Sequence, residues 1–228
     1  MMAKFLGTAA VLCGIAGAPR AEYDDAGVVV MAAGEPLILD AAVAEDSATV
    51  ARIAELAVPL DEIRNKVIAE AAAAIDGSRD ACRARECQMG KLVADAMLAR
   101  VAGQGVTIAL TNGGGLRASV DAGLVTMGEV LTVLPFQNTL STFTVTGADV
   151  VAALENGVSQ IEEGAGRFPQ VAGLKYMFDP VQPVGARVSD VMVLIGGDAW
   201  GPIDPAAEYV TVSNNFVRGG AVTGSRCS

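Results

Sequence analysis

The sequence contains no histidine in its 228 residues. That removes the usual general base, the commonest metal ligand and every histidine-containing triad in one step. A metal centre in this chain would have to rely on carboxylates or cysteines alone. Aromatic residues are scarce, at 4%, so each Phe or Trp merits individual attention. Positive charge is in deficit, since 16 Lys and Arg against 26 Asp and Glu leave a net charge of −10. An acidic chain is a poor non-specific binder of nucleic-acid polymers, whose phosphates need a positive surface. Any bound anion must therefore be held by a local cluster of arginines. Beyond the N-terminal region no apolar run approaches the roughly eighteen residues of a membrane span. Cysteine is limited to Cys13, Cys82, Cys87 and Cys227. The spacing in Cys82-Arg83-Ala84-Arg85-Glu86-Cys87 is too wide for a CxxC redox motif. Without histidine or a second close pair it is also a poor zinc site. A short-loop disulfide in an oxidising compartment suits the pair better than two free thiols.

A hydrophobic share of 52% is ample for a buried core, and the length suits one full domain plus a further segment, or two small domains. Met1-Met2-Ala3-Lys4, the apolar run Phe5 to Ala16 and the small residues near Ala18-Pro19-Arg20-Ala21 resemble an export leader. Residues 22–45 alternate short apolar runs with Gly, Asp and Pro and read as strand and loop. Asp46 or Ser47 can cap a helix whose apolar positions Val50, Ile53, Ala57, Leu60, Ile63 and Val67 recur at helical steps, with Pro59 as a point of kinking. Asp76-Gly77-Ser78 ends that region. A second amphipathic helix carries Met89, Leu92, Val93, Ala96, Met97 and Val101 on one face.

The most informative segment is Leu110-Thr111-Asn112-Gly113-Gly114-Gly115-Leu116-Arg117. The run Val106-Thr107-Ile108 leads into it and reads as a strand. Glycines reach positive φ at little cost and let backbone amides approach a ligand, while arginine offers a planar fork of donors to a carboxylate or phosphate. A tight turn followed by a solvated arginine reads the same segment equally well on its own. Beyond it, Thr126-Met127-Gly128-Glu129 is a candidate capping box for a short helix stopped by Pro135. Thr139 to Thr146 reads as a strand, Ala148 to Val158 as a helix opened by Gly147, and Lys175 to Asp179, Val188 to Ile195 and Tyr209 to Ser213 as strands. Gly196-Gly197-Asp198 suits a hairpin turn. Helices and strands mix without strict alternation, which predicts an α+β (mixed α/β) domain.

Four segments now stand in order: Arg79 to Gly90 around the cysteine pair, Asn112-Gly113-Gly114-Gly115-Leu116-Arg117, Leu134-Pro135-Phe136-Gln137-Asn138, and Asn214-Asn215-Phe216. Together they resemble the C-terminal, substrate-binding domain of the 5′-nucleotidase family, which includes UDP-sugar hydrolases. The resemblance runs from about Glu35 to Phe216. It implies a layered sheet with flanking helices at 78–228, a linker with a long helix at 35–77, and at 1–34 a leader-like segment joined to the remnant of a preceding metallophosphatase domain. In intact members that domain holds two divalent metal ions. None is expected in this chain, which agrees with its lack of histidine, so the resemblance assigns it no catalytic residue.

Residue by residue, the resemblance implies that Phe136 and Phe216 sandwich a base, that Arg79, Arg83 and Arg117 hold a phosphate or other substrate anion, and that Asn112 and Asn138 reach the sugar or base. Gly114 belongs to the bare loop between them. Ordinary core packing for the two Phe, solvated surface for the arginines and turn formation for the asparagines are the competing readings. Cys82 and Cys87 match a disulfide found in some members, which would pin Arg83 and Arg85 beside the site, with Glu86 orienting an arginine. Trp200 and Tyr176 match no ligand contact and read as packing residues. After Asn215-Phe216-Val217-Arg218-Gly219-Gly220 the chain departs from the family pattern, one residue short and without the aspartate that holds the ribose hydroxyls. That tail reads as a frameshift or premature stop.

The implied function is the nucleotide-recognition half of a 5′-nucleotidase-like phosphohydrolase in nucleotide catabolism. Its partners would be a nucleotide or nucleoside and a metallophosphatase domain or chain, and its location periplasmic or secreted. A stand-alone nucleotide-binding module and a non-functional gene fragment are the alternatives.

Overall fold

A computed structural model of the chain describes residues 44–196 and 198–220, together with two short strands before them. Those strands, β1 (Glu22–Tyr23) and β2 (Val29–Val30), pair antiparallel. The leader-like segment, most of the stretch read as strand and loop, and the tail from residue 221 lie outside the described residues. The chain divides into two units, Met1–Glu55 and Leu56–Ser228. Helix α1 (Ser47–Arg64) starts in the first. Asp46 caps it, its Oδ1 accepting from the Thr49 amide at 2.7 Å, and the helix continues through Pro59.

Helical spacing carries the apolar pattern of α1 on to Val67, yet α1 stops at Arg64 and Val67 opens strand β3 (Val67–Ala71). The adjacent β-branched pair Val67-Ile68 fits a strand better than a helix. After it come α2 (Arg79–Cys82), α3 (Gln88–Arg100) and β4 (Ile108–Asn112). Strand β4 starts later than the run at Val106 suggests and continues through Asn112, so Leu110 to Asn112 are strand rather than loop. Next are β5 (Gly123–Thr126), which pairs antiparallel with β3, then α4 (Met127–Val133), β6 (Leu140–Thr146) and α5 (Gly147–Val158). Strand β7 (Pro169–Ala172) has no counterpart in the sequence reading. It is followed by β8 (Leu174–Phe178), β9 (Val188–Gly196), β10 (Ala199–Pro202), β11 (Glu208–Asn214) and the single-turn α6 (Asn215–Arg218).

Two helix starts are fixed by reciprocal side-chain bonds. Thr126 and Glu129 form the expected capping box on α4, and Thr146 and Asp149 form a second one on α5. These bonds to the Thr residues hold both carboxyl groups below their ordinary pKa. Helix α5 carries Val150, Leu154 and Val158 into the core. Removing its cap by Thr146→Ala should therefore lower stability by about 1 kcal/mol, read as a shifted urea midpoint at unchanged slope.

The central sheet has the order β6-β11-β4-β7, with β11 parallel to β4 and the outer pairings antiparallel. Side chains alternate across it as the pleat requires. Ala109, Ala172 and Val212 face a cluster with Ala94 and Met97 of α3 and Val101 just after it, while Ile108 joins Val150 and Leu154 of α5 and Val191 and Val193 of β9. Strand β4 is thus covered on both faces, and its C-terminal end delivers the glycine segment. At Gly173 the chain leaves this sheet for a second one, β10-β9-β8. Gly173 has φ 69°, and a Cβ there would lie 1.9 Å from the Thr107 carbonyl oxygen, so no larger residue fits. A third core cluster surrounds the cysteines, joining Cys82, Cys87 and Met89 to Leu116, Val125 and Val133. The structure is a mixed helix-and-sheet domain with flanking helices, as expected.

Candidate functional site

The C-terminal end of β4, the turn after α2, the loop before β7 and helix α6 converge on one cleft of about 520 Å³. Of the residues singled out in the sequence, Arg83, Asn112, Gly114, Phe136, Asn138 and Phe216 line it. Arg79 and Arg117 are exposed and do not line it. Both nevertheless act on it electrostatically. Burial and then the positive fields of Arg79 and Arg117 hold the Arg83 guanidinium below its ordinary pKa. Three cations are thereby gathered at one end of an acidic chain, an arrangement that an anion would relieve. The Arg117 guanidinium also lies 5.7 Å from the centroid of the Phe136 ring, within cation–π range.

Arg83 is held from two sides. Its Nη1 donates to the Gly164 carbonyl at 3.3 Å, while its Nε is buried without a hydrogen-bond partner among the described residues. Its backbone sits in the loop closed by the Cys82–Cys87 disulfide, with Cα atoms 5.0 Å apart. Gln170 of β7, 1% exposed, fastens the same loop: its Nε2 donates to the carbonyls of Cys82 at 3.0 Å and Arg85 at 2.8 Å, and its Oε1 accepts from the Cys87 amide at 3.1 Å. Arg85 does not line the cleft. Glu86 forms no ion pair with an arginine among the described residues. It lies on a separate groove with Lys91 and Tyr176, where its charge adds to burial in raising the Tyr176 pKa. The described ion pairs are Arg52–Glu55, Lys91–Asp95 and Arg187–Glu162.

The three glycines act differently from their sequence reading. None has positive φ. The Gly113 amide donates to the Phe168 carbonyl and the Gly114 amide to the Gly166 carbonyl, each at 2.8 Å, so neither is offered to a ligand. The glycines permit close backbone approach instead: a Cβ at Gly113 would lie 1.9 Å from the Cys82 carbonyl oxygen, and one at Gly114 would lie 2.7 Å from Gly166 Cα. Asn112 belongs to the same junction. Its Nδ2 donates to the Gly166 carbonyl at 3.2 Å and its Oδ1 accepts from Asn214 at 3.1 Å.

The aromatic walls are fixed by another asparagine. Asn215 bonds Thr139 twice, amide to carbonyl and Oδ1 to amide, both at 2.9 Å. That ties α6, which bears Phe216, to the loop that bears Phe136 and Asn138. Both rings remain open, at 56% exposed for Phe136 and 44% for Phe216, and neither takes part in the ring–ring contacts among the described residues. Tyr176 donates to the Pro169 carbonyl at 3.1 Å and Trp200 carries Lys175 over its ring at 3.9 Å, away from this cleft.

Sequence reading missed the opposite wall, Ala165, Gly166 and Arg167. Its signal was present, because Gly164-Ala165-Gly166-Arg167 repeats the pairing of small residues with a following arginine. Among the described residues no group of three or more Cys, Asp or Glu side chains converges as metal ligands. The cleft lining, which carries no carboxylate or cysteine, does not suit a two-metal centre.

The family described as 5′-nucleotidase, C-terminal domain, matches residues 67–223. The trifunctional nucleotide phosphoesterase protein YfkN of Bacillus subtilis is 41% identical over 162 residues, covering 71% of this chain and 11% of that protein. The human 5′-nucleotidase is 29% identical over 214 residues, covering 88% of this chain and 37% of the human protein. The crystal structure of a 5′-nucleotidase precursor from Thermus thermophilus superposes with a TM-score of 0.73 at 39% identity, covering 91% of this chain and 42% of that one. The chain thus spans less than half the length of these relatives. With its glycine junction, arginine cluster and paired Phe walls on a fold shared with them, the chain belongs to the 5′-nucleotidase C-terminal domain family.

Proposed function

We propose that this chain is the nucleotide-recognition part of a 5′-nucleotidase-like phosphohydrolase, in which Phe136 and Phe216 stack the base and Arg83, backed by Arg79 and Arg117, takes the phosphate. One observation carries the reading: two half-exposed aromatic rings line the same cleft as a guanidinium whose pKa is lowered by burial and then by the neighbouring arginines. Solvent-exposed Phe rings flanking a cleft lose water contact when a flat base enters between them. Asn138, exposed at the cleft rim, is placed to bond the sugar or base. Asn112, with both polar ends engaged, acts by holding the Gly166 wall. Phosphate-ester cleavage and its two divalent metal ions would reside in a metallophosphatase domain or chain that works with this one. The disulfide fits a periplasmic or secreted setting.

Calorimetric titration of the chain with AMP, GMP and UMP and with their nucleosides tests this. Nucleotides should bind more tightly than nucleosides. Arg83→Ala should weaken nucleotide binding by about 2 kcal/mol, the scale of a hydrogen bond to a charged group, and leave nucleoside binding nearly unchanged. Failure of every nucleotide to bind would refute the proposal.

A further inference from the structure

Arg167 is the second cation on the lining of the cleft, and the phosphate assignment leaves it unused. The positive charges that act on Arg83 are Arg79 and Arg117, and Arg167 is not among them. Its backbone neighbour Gly166 packs beside Arg83, and the Arg167 Nη1 donates to the Ser159 hydroxyl at the end of α5 at 3.4 Å. That is a long bond, and Arg167 forms none of the ion pairs among the described residues. The half-buried residue thus lines the cleft with its remaining N–H donors in no hydrogen bond among the described residues.

A nucleotide has three parts to be met. With its phosphate on Arg83, its sugar within reach of Asn138 and the π-faces of its base on the two Phe rings, the group left for Arg167 is the edge of the base. A guanidinium is donor-only at any ordinary pH. It pairs with a ring carbonyl or ring nitrogen and has nothing to accept from an exocyclic amine, which is why arginine selects guanine through O6 and N7 elsewhere. We infer that Arg167 is a specificity-determining residue that reads the base edge and favours bases with a carbonyl at purine C6 or pyrimidine C4 (hypoxanthine, guanine, uracil) over adenine and cytosine, which carry an amine there. This rests on the nucleotide reading of the cleft.

The cleanest comparison is IMP against AMP, which differ in O6 against N6 on the same purine and share one phosphate. Titration of the full chain should show IMP bound about tenfold more tightly, within the range of one bidentate pair to a base edge. Arg167→Ala should bring the ratio close to one. Arg167→Glu, acceptor-only, should invert it even as the added negative charge weakens both ligands, because that charge effect cancels in the ratio. A merely structural role for Arg167 would change both affinities together and leave the ratio in place. An unaltered IMP:AMP ratio in both variants, with nucleotides still bound, would overturn the inference and leave the nucleotide reading standing. So would a loss in Arg167→Ala confined to inosine 3′,5′-bisphosphate, which would make Arg167 a second anion site. Absence of binding by every nucleotide to the unaltered chain would instead fell the nucleotide reading, and this inference with it.

Discussion

Gln170→Ala should lower the unfolding free energy by about 3 kcal/mol, because it strips partners from groups that water reaches poorly. Gln170 is 1% exposed and holds three backbone groups of the disulfide loop, the carbonyls of Cys82 and Arg85 and the amide of Cys87. The Cys82 and Cys87 bonds are buried, so their loss leaves a donor and an acceptor unsatisfied as well as a cavity. Gln170→Leu separates the two costs. It keeps most of the volume, and if packing alone mattered it would be nearly neutral. The hydrogen-bond account expects it to be almost as damaging as alanine. Urea unfolding with the disulfide intact measures both, and a stable Gln170→Leu protein would sink this account. Gly90→Ala attacks the same contact from the other side, since a Cβ there would lie 2.2 Å from Gln170 Oε1.

Gln170 acts across the chain, whereas the elements legible in sequence follow local rules. Helices α3, α4 and α5 and strands β6, β8, β9 and β11 show apolar periodicity, a Thr cap with an acid three residues on, or a Gly or Pro stop. Strand β7 fails those rules because it is four residues long and opens with Pro169. Its place is decided by pairing with β4 from Asn112↔Pro169 to Ala109↔Ala172, information that lies about 60 residues away in the chain. Val67 fails for the opposite reason, since a local pattern there is overruled by pairing with β5.

The site divides along the same line. The sequence motifs single out Arg83, Phe136 and Phe216, and the fold brings all three to one cleft. The bonds of Asn112 and the glycines are not legible in sequence, because they run to the 166–168 loop, which only tertiary structure brings near. Arg167 escaped notice because an isolated arginine after a glycine reads as solvated surface until the wall it stands on is seen.

The largest effect on binding is expected at the aromatic walls. Phe136→Ala and Phe216→Ala should each weaken nucleotide binding by about 2 kcal/mol, and the double variant by roughly a thousandfold if the two faces act independently. Because both rings are about half exposed, the same substitutions should change stability by less than about 1 kcal/mol. Phe168 supplies the opposing case. It is 1% exposed and meets Phe178 edge-on at 5.5 Å, so Phe168→Ala should destabilise the fold by about 3 kcal/mol as a core residue does. Rings that serve only as packing would show the Phe168 pattern, with stability lost and affinity following it. Rings that hold a base should show the reverse, and Phe136→Tyr and Phe216→Tyr should restore binding, because stacking requires a flat π-face rather than a particular side chain. A double-variant cycle measures the coupling. If the two losses add, each ring grips its own face of the base. If either single loss equals the double, the base is held only when both walls are present, and the Asn215–Thr139 clamp that ties their segments together becomes part of recognition.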